Sequence, residues 1–496
     1  NIENFTNNLN LAYSVSNGVP TSLTLSENPY NAEYRVGYNA WYVQDQWTHN
    51  RMTLQGALRF DRATSWNPAQ SIPASNYLAT PISFAEVDGV DYKNFSPRLG
   101  LAYDVFGNGK TALKVNYGKY LDPASNLNNN YSITNPISRL ATTTTRTWND
   151  ANHNYLPDCN LSNPAANGEC AADANSLFGT SSFQNAIDPN ILNIRPIDYQ
   201  FGVSVQQQLA PRISLEAGYF HRWLQNFFVT DNVAVPTSGF QQFSLTAPSD
   251  PRLPSGGGYT VSNLYNVLPQ YFGQTSNLLT TEQNYSNSAY QHYNGILLNV
   301  TARAMKGLTV QGGVNSGSTV EDVCGARTLL PEMVAVGGFQ SLPIGPTNPY
   351  CHDAPGFVTK VTGIATYIVP KADVLVSTTY RSDQGAPLAA NWNPSSATIL
   401  NPILGRPVAG GAPFLTVNLI APGQVWGDRV NEFDIKLAKV LKFKQFRSNV
   451  GIDIFNVLNS NAILNYNQTF VPGGTWLQPL QVLTPRFFKL SAQIDF

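Results

Sequence analysis

Apolar and polar residues alternate with period two along this chain, often in runs of ten residues or more. In RMTLQGALRFD (51–61), Met52, Leu54, Gly56, Leu58 and Phe60 alternate with Thr53, Gln55, Ala57, Arg59 and Asp61. In DYQFGVSVQQQL (198–209), Tyr199, Phe201, Val203 and Val205 alternate with Gln200, Gly202, Ser204 and Gln206. ISLEAGYFHRW (213–223) sets Ile213, Leu215, Ala217, Tyr219 and Trp223 against Ser214, Glu216, Gly218 and Arg222. The side chains of a strand point alternately to its two faces, so each run is a strand with one apolar and one polar side. Globular strands are usually shorter. A strand crossing a bilayer at a tilt needs about 9–11 residues.

The connections alternate as well. THNR (48–51), GNGK (107–110), APR (210–212), MKG (305–307), PKA (370–372) and FKQFR (443–447) are short. Between them lie polar stretches at 62–95, 122–197, 231–289, 318–356, 385–428 and 458–485. Loops of that length are out of place inside a compact soluble domain. They suit the outer rim of a barrel. The fold expected is all-β, an antiparallel transmembrane β-barrel with short periplasmic turns, long extracellular loops and about 14 strands. The first strand is placed near 5–15 and the last at 486–496.

Composition agrees. Only 12% of residues are charged while 42% are hydrophobic, and the formal net charge of -1 gives nucleic acid nothing to bind. No apolar run is long enough for a membrane helix. NIENFTNNLN at the start carries no leader pattern and reads as the middle of a sheet protein, so the beginning is expected upstream. At the other end, Phe488, Leu490, Ala492, Ile494 and Phe496 alternate with Lys489, Ser491, Gln493 and Asp495. A barrel in lipid cannot leave an unpaired strand edge, so this strand is expected to close the barrel, with Phe496 at the interface.

Several segments carry a family resemblance. YNAWYVQDQWTHNRMTLQGALRFD (38–61) and NFSPRLGLAYDVFGNGKTALKVNYGKY (94–120) resemble two hairpins of TonB-dependent outer-membrane receptors. EFDIKLAKVLKFKQFRSNVGIDIFNVLNSN (432–461) and TPRFFKLSAQIDF (484–496) resemble their last three strands. The nearest subgroup is Oar-like, whose full-length members carry a carboxypeptidase-regulatory-like domain. The resemblance implies a barrel of about 22 strands, in which residues 1–496 are one barrel domain lacking its plug and first strands. It implies active uptake of a solute through the bacterial outer membrane. The partners it implies are outer-membrane lipid, the TonB complex acting through the plug, the barrel-assembly machinery and an unknown solute. The competing readings are a passive pore or adhesive barrel without TonB coupling, and a soluble secreted β-protein that binds or hydrolyses carbohydrate.

No catalytic constellation is legible, so the chain is read as a non-enzyme. None of the five histidines has metal-ligand spacing to another His or to Cys. His352 between Cys351 and Asp353 suggests a triad, but a loop cysteine with a disulfide partner fits better. Cys159 with Cys170 and Cys324 with Cys351 read as two disulfides of an oxidising compartment, against the alternative of four buried thiols. In WNDANHNYLPDCN, Asp150, Asn152, Asn154 and Asp158 have the spacing of a calcium loop, the one cofactor weighed. Tyr155 replaces the usual glycine and Leu161 the closing glutamate, so a turn capped by its own side chains is the competing reading. Tyr131, Trp148, Tyr155, Tyr259, Tyr265, Tyr271, Phe272, Trp392 and Trp476 enrich the loops in aromatics, suited to ligand stacking or, better, to loop packing. By parity, Gln55, Arg59, Arg98, Lys114, Asn116, Gln206, Glu216, Asn299, Arg303 and Asp453 face the lumen, suited to line a path or, better, to hold a plug by hydrogen bonds.

Overall fold

The structure, a computed structural model, describes every residue except 1, 7–9, 28–31, 76, 78–79, 124–133, 137–139, 181–184, 304, 333, 337–344, 443–446 and 496. One antiparallel sheet of 14 strands dominates it. Its long strands run in chain order: β1 (Arg35–His49), β2 (Met52–Asn67), β3 (Val87–Asp104), β4 (Thr111–Leu121), β5 (Ile197–Ala210), β6 (Ile213–Gln225) and β7 (Tyr290–Ala302). Then follow β8 (Leu308–Asp322), β9 (Val358–Val369), β10 (Val374–Asp383), β11 (Val430–Lys442), β12 (Arg447–Phe455) and β13 (Phe487–Asp495). Each long strand pairs with its chain neighbours, and the two-residue strand His352–Asp353 pairs with β8. Among the described residues no ladder joins β1 to β13. No helix among them is long and apolar enough to cross a membrane, which says nothing of a β-barrel.

Turn chemistry fixes the hairpins. Asn50 takes φ 50° in the connection after β1, and Arg212 takes φ 65° between β5 and β6. Between β3 and β4, Asp104 accepts from the N–H of Gly107 at 3.0 Å and of Gly109 at 2.8 Å. Both glycines have φ near 70°, a conformation other residues rarely adopt. Several strands run past the expected apolar stretch into the loops. β2 and β3 are 16 and 18 residues long, and Arg62 with Asp91 forms a cross-strand ion pair at 3.0 Å above the apolar part.

Register sorts the side chains into two faces. Trp41, Phe60 and Phe95 share one face, as do Val43, Leu58 and Pro97. The pairs Val205–Ala217, Ala217–Leu298 and Ile452–Leu490 continue that apolar face across the sheet. It is uncovered: Val43 is 68% exposed, Leu99 56% and Ile296 53%. An uncovered apolar surface of this extent marks a lipid or partner interface, not a soluble surface. Aromatic rings band its loop-side end, with Tyr199 stacked 5.2 Å from Trp223 and Phe60 5.0 Å from Phe95.

The larger buried clusters lie outside this sheet instead. The largest joins Phe243, Leu245, Leu253 and Leu264 with Leu400, Leu404, Val417 and Ile420, and with Phe470 and Trp476. Loops after β6, β10 and β12 thus pack into one cap.

The segment 5–15 is not the first strand of the large sheet. Ile2–Thr6, Leu11–Ser16, Val19–Ser26 and Thr143–Thr147 form a separate four-stranded sheet. The cause is burial. Leu11, Leu23 and Leu25 pack with Tyr77, Trp148 and Cys170, giving those apolar beats a protein core rather than an exposed face.

Candidate functional site

The polar face of β1 to β4 carries a concavity. Register sets Ser96 opposite Arg59, Arg98 opposite Ala57 and Gly118, and Asn116 opposite Gly100. Tyr42 lies opposite Arg59 on the other side, and Gln44 opposite Ala57. With Gln55 and Tyr120 these residues wall a cavity of about 540 Å³.

The cations in it are unequal. Arg59 donates from Nε to Asp61 Oδ1 at 2.8 Å and from Nη2 to the Tyr38 hydroxyl at 2.7 Å. Tyr38 itself donates to Asp61, which is buried. Arg98 is exposed to the cavity and lies 4.9 Å over the Tyr120 ring, with no hydrogen bond or ion pair among the described residues. Gly118 makes room for that ring, since a Cβ there would stand 2.9 Å from it. Ser96 is 3% exposed, and its hydroxyl has no hydrogen-bond partner among the described residues.

The other expected lumen residues occupy the same face. Lys114 donates to Gln206 Oε1 at 2.9 Å. Glu216 lies opposite both Gln206 and Asn299. Lys436 pairs with Asp453 at 3.1 Å and donates to Ser491 at 3.1 Å. Arg303 keeps the parity but stands beyond the end of β7, in the short turn. Sequence reasoning missed Tyr38, Tyr42, Ser96 and Tyr120. The available signal was the alternation in RVGYNAWYVQDQWTH, whose second beat carries Tyr38, Tyr42, Gln44 and Gln46.

In β13, Phe488, Leu490 and Ala492 lie opposite Ile454, Ile452 and Val450, and Ile494 opposite Ser448. Phe496 lies outside the described residues.

In the loops after β4 and β8, Cys159 is bonded to Cys170 and Cys324 to Cys351. Cys351 therefore has no thiol to offer a triad, and His352 Nδ1 sits 2.8 Å from Asp322 Oδ2. The Asp150 loop closes on itself. Asp150 accepts from the N–H of Asn154 at 3.1 Å and of Tyr155 at 3.0 Å, while Asn152 and Asn154 donate to Asp158 Oδ2 at 2.6 and 3.0 Å. Among the described residues no three His, Cys, Asp or Glu side chains are placed to hold a metal ion.

Most of the loop aromatics pack. Trp148 and Trp476 are 2% exposed; Tyr259 and Trp392 lie against the largest cluster, and the Tyr265 ring lies under the Arg327 guanidinium. Tyr271 lies where a Cβ on Gly239 would meet its ring. Tyr155 and Phe272 stay exposed, and Tyr131 lies outside the described residues. Arg406 ties two loops together, donating to Gln241 Oε1 at 2.8 Å and to Asn266 Oδ1 at 2.9 Å. Burial, with the Asp231 carboxylate as a further charge, pushes the Glu332 carboxyl up to about 7.

The profile of a family described as outer membrane beta barrel domain matches residues 3–313. No curated protein matches the chain. Three solved structures are similar to it. The ferric-catecholate import receptor Fiu of Escherichia coli K12 covers 99% of this chain and 53% of its own, at 13% identity and a TM-score of 0.43. The FrpB iron transporter of Neisseria meningitidis covers 97% and 52%, at 11% identity and a TM-score of 0.44. The outer membrane transporter YddB of Escherichia coli covers 99% and 61%, at 10% identity and a TM-score of 0.45. The chain thus spans about half the length of the first two and 61% of the third.

Proposed function

We infer, because the chain belongs to the outer membrane beta barrel domain family, that it is the barrel of an Oar-like, TonB-dependent receptor importing a scarce solute. The chain is an antiparallel outer-membrane β-barrel protein. The observation that carries the transport reading is the two-faced sheet. Its apolar face suits hydrocarbon, while its polar face holds Arg59, Arg98, Lys114, Glu216 and Asp453 toward an aqueous interior. The hairpins at 38–61 and 94–120 support the TonB-dependent class by their motifs. The packed cap supplies an external capture surface. Lipid, the barrel-assembly machinery, a solute and TonB acting through a plug upstream are the partners of this reading.

The test is made on the full-length gene in its host. Detergent-dependent extraction with heat-modifiable gel mobility is expected, and growth on a limiting solute should require both this gene and TonB. Solute entry that persists without TonB, with steady conductance in planar bilayers, would assign the chain to a passive pore instead.

A further inference from the structure

We propose that the outer wall at β4–β7 holds one anionic membrane lipid, its phosphate on Lys119 and His292 at the loop-side rim and an acyl chain in the groove below. The proposal deepens the reading of the apolar face as the lipid face and rests on it. It involves neither the inner wall nor TonB.

Register places the headgroup end. Lys119, Tyr199, Trp223 and His292 form one row across four strands on the apolar face, and Tyr117, Phe201, His221 and Asn294 form the row beside it. Lys119 Nζ stands 6.0 Å from the Tyr199 ring centroid. A lysine so placed lays its stem along the aromatic belt and carries its charge to headgroup level. No carboxylate pairs with it among the described residues. Lys93, two residues before Phe95 on the same face, differs, since Asp91 stands 2.9 Å from it. Asp322, opposite Tyr290 at the far side of the patch, is taken by His352 at 2.8 Å. His292 meets the rings of His221 and Tyr290 at 5.7 and 5.0 Å and has no hydrogen-bond partner among the described residues. His221, by contrast, is held through Nδ1, 2.8 Å from Asn294 Oδ1. Lysine at this depth attracts anionic headgroups, and a phosphate accepts charge-assisted bonds from ammonium and imidazole alike.

The groove lies further down the same strands. Ala217 sits in register between Val205 and Leu298, with Tyr219 and Ile296 beside it. Its short side chain leaves an apolar groove of about 570 Å³, which Val314 also lines. Ile296 and Leu298 at its edge are 53% and 44% exposed. An unpaired cation above an apolar groove, on one face, repeats the order of head and tail in a phosphate-bearing lipid.

The experiment adds dioleoyl phosphatidic acid, or dioleoylglycerol as its uncharged counterpart, to the full-length protein in an uncharged detergent. Native mass spectrometry reads the lipid retained. One phosphatidic acid per protein is expected, with dioleoylglycerol held about 10-fold more weakly, the usual loss of a charge-assisted hydrogen bond. Lys119→Gln should weaken phosphatidic acid by the same factor and leave dioleoylglycerol unchanged. Ala217→Phe, which fills the groove, should weaken both lipids about 10-fold, as for roughly two buried methylenes, and it keeps the test open if Lys119→Gln fails to fold. Lys93→Gln removes an equal charge from the same face and should change neither. Equal retention of the two lipids, equal weakening by Lys93→Gln and Lys119→Gln, or displacement of the lipid by inorganic phosphate overturns the site. A dimer without lipid would give the face to a second copy and overturn it too. Heat-modifiable mobility is read in parallel. Its absence in the wild type would overturn the barrel reading as well, whereas its presence without preferential retention would overturn the site alone.

Discussion

Arg252 folds back on Asp250, with Nη2 2.7 Å from Oδ2 and Nε 2.9 Å from Oδ1, so both carboxylate oxygens face one guanidinium. The same guanidinium reaches another loop, donating from Nη1 to the carbonyls of Gly474 at 2.8 Å and Trp476 at 3.2 Å. Asp250 also accepts from the Gly473 N–H at 3.1 Å. The cap is therefore stapled across more than two hundred residues of sequence. Arg252→Ala should strand the buried Asp250 carboxylate and loosen residues 471–477, costing about 2 kcal/mol locally. Limited proteolysis should then cut first in 456–486, with the strand core unaffected. Wild-type resistance there would remove the staple from the account.

The wall was legible in sequence where one parity recurs over a long run. Leu58 and Arg59 could be assigned to opposite faces because period two has no other geometric meaning. The same reasoning failed for Leu11, because alternation cannot distinguish an apolar face turned to lipid from one turned to Trp148. Nor could it find the cavity. Arg59 and Arg98 look equivalent by parity, and only the structure shows one carrying a counter-charge and the other, among the described residues, none. The contacts that build the cap, such as Arg406 to Gln241, join residues from different hairpins, and no local pattern encodes them.

Arg146 sits, fully buried, inside the loop closed by Cys159 and Cys170. It donates to the carbonyls of Ala171 at 2.7 Å, Asn163 at 3.0 Å and Ala165 at 2.8 Å. Without the bond that loop regains chain entropy of about 3 kcal/mol, by the entropic account. Dithiothreitol should expose 159–170 to protease while heat-modifiable mobility persists, since no membrane strand contains a cysteine. Arg146→Met should do the same without reductant, because the carbonyls lose their shared donor. Protection of the loop in both experiments would refute this division of labour.

Glu332 gives the contact between the loops after β6 and β8 a pH dependence. Its Oε1 accepts from the Asn232 N–H at 3.2 Å, beside the strand Phe228–Asn232. Its folded value of about 7 lies above its ordinary 4.5. The folded form therefore holds an extra proton between those values. The stabilisation is complete below the lower value and is lost as pH rises through the upper one. Amides of 228–232 should exchange more slowly at pH 5 than at pH 8, relative to intrinsic rates. Glu332→Gln should flatten that difference; an unchanged profile in the variant would trace it to another group.

The Asp150 loop sets a sharp test between a calcium loop and a turn capped by its own side chains. Its backbone is already satisfied by Asp150 and Asn154 side chains, and its Asn amides point at Asp158. Chelation of calcium is therefore expected to leave proteolysis of 148–158 unchanged. Faster cleavage on chelation, restored by calcium and not by magnesium, would mean that those amides turn their oxygens to an ion.

Val205 and Gln206 are adjacent in β5 and face opposite sides, the first in register with Ala217 and the second with Glu216. A cation therefore meets contrasting surroundings one residue apart. Val205→Arg places a guanidinium in the apolar band, where lipid-facing charge costs about 2–4 kcal/mol at mid-depth and less near the rim. Gln206→Arg removes the acceptor of Lys114 but puts the new charge opposite Glu216, where it can pair. Detergent-refolded Val205→Arg should give a smaller heat-modifiable fraction than wild type, with Gln206→Arg close to wild type. Equal damage by both would mean that the two faces do not meet different solvents, and the assignment of hydrocarbon to one and water to the other would fall with it.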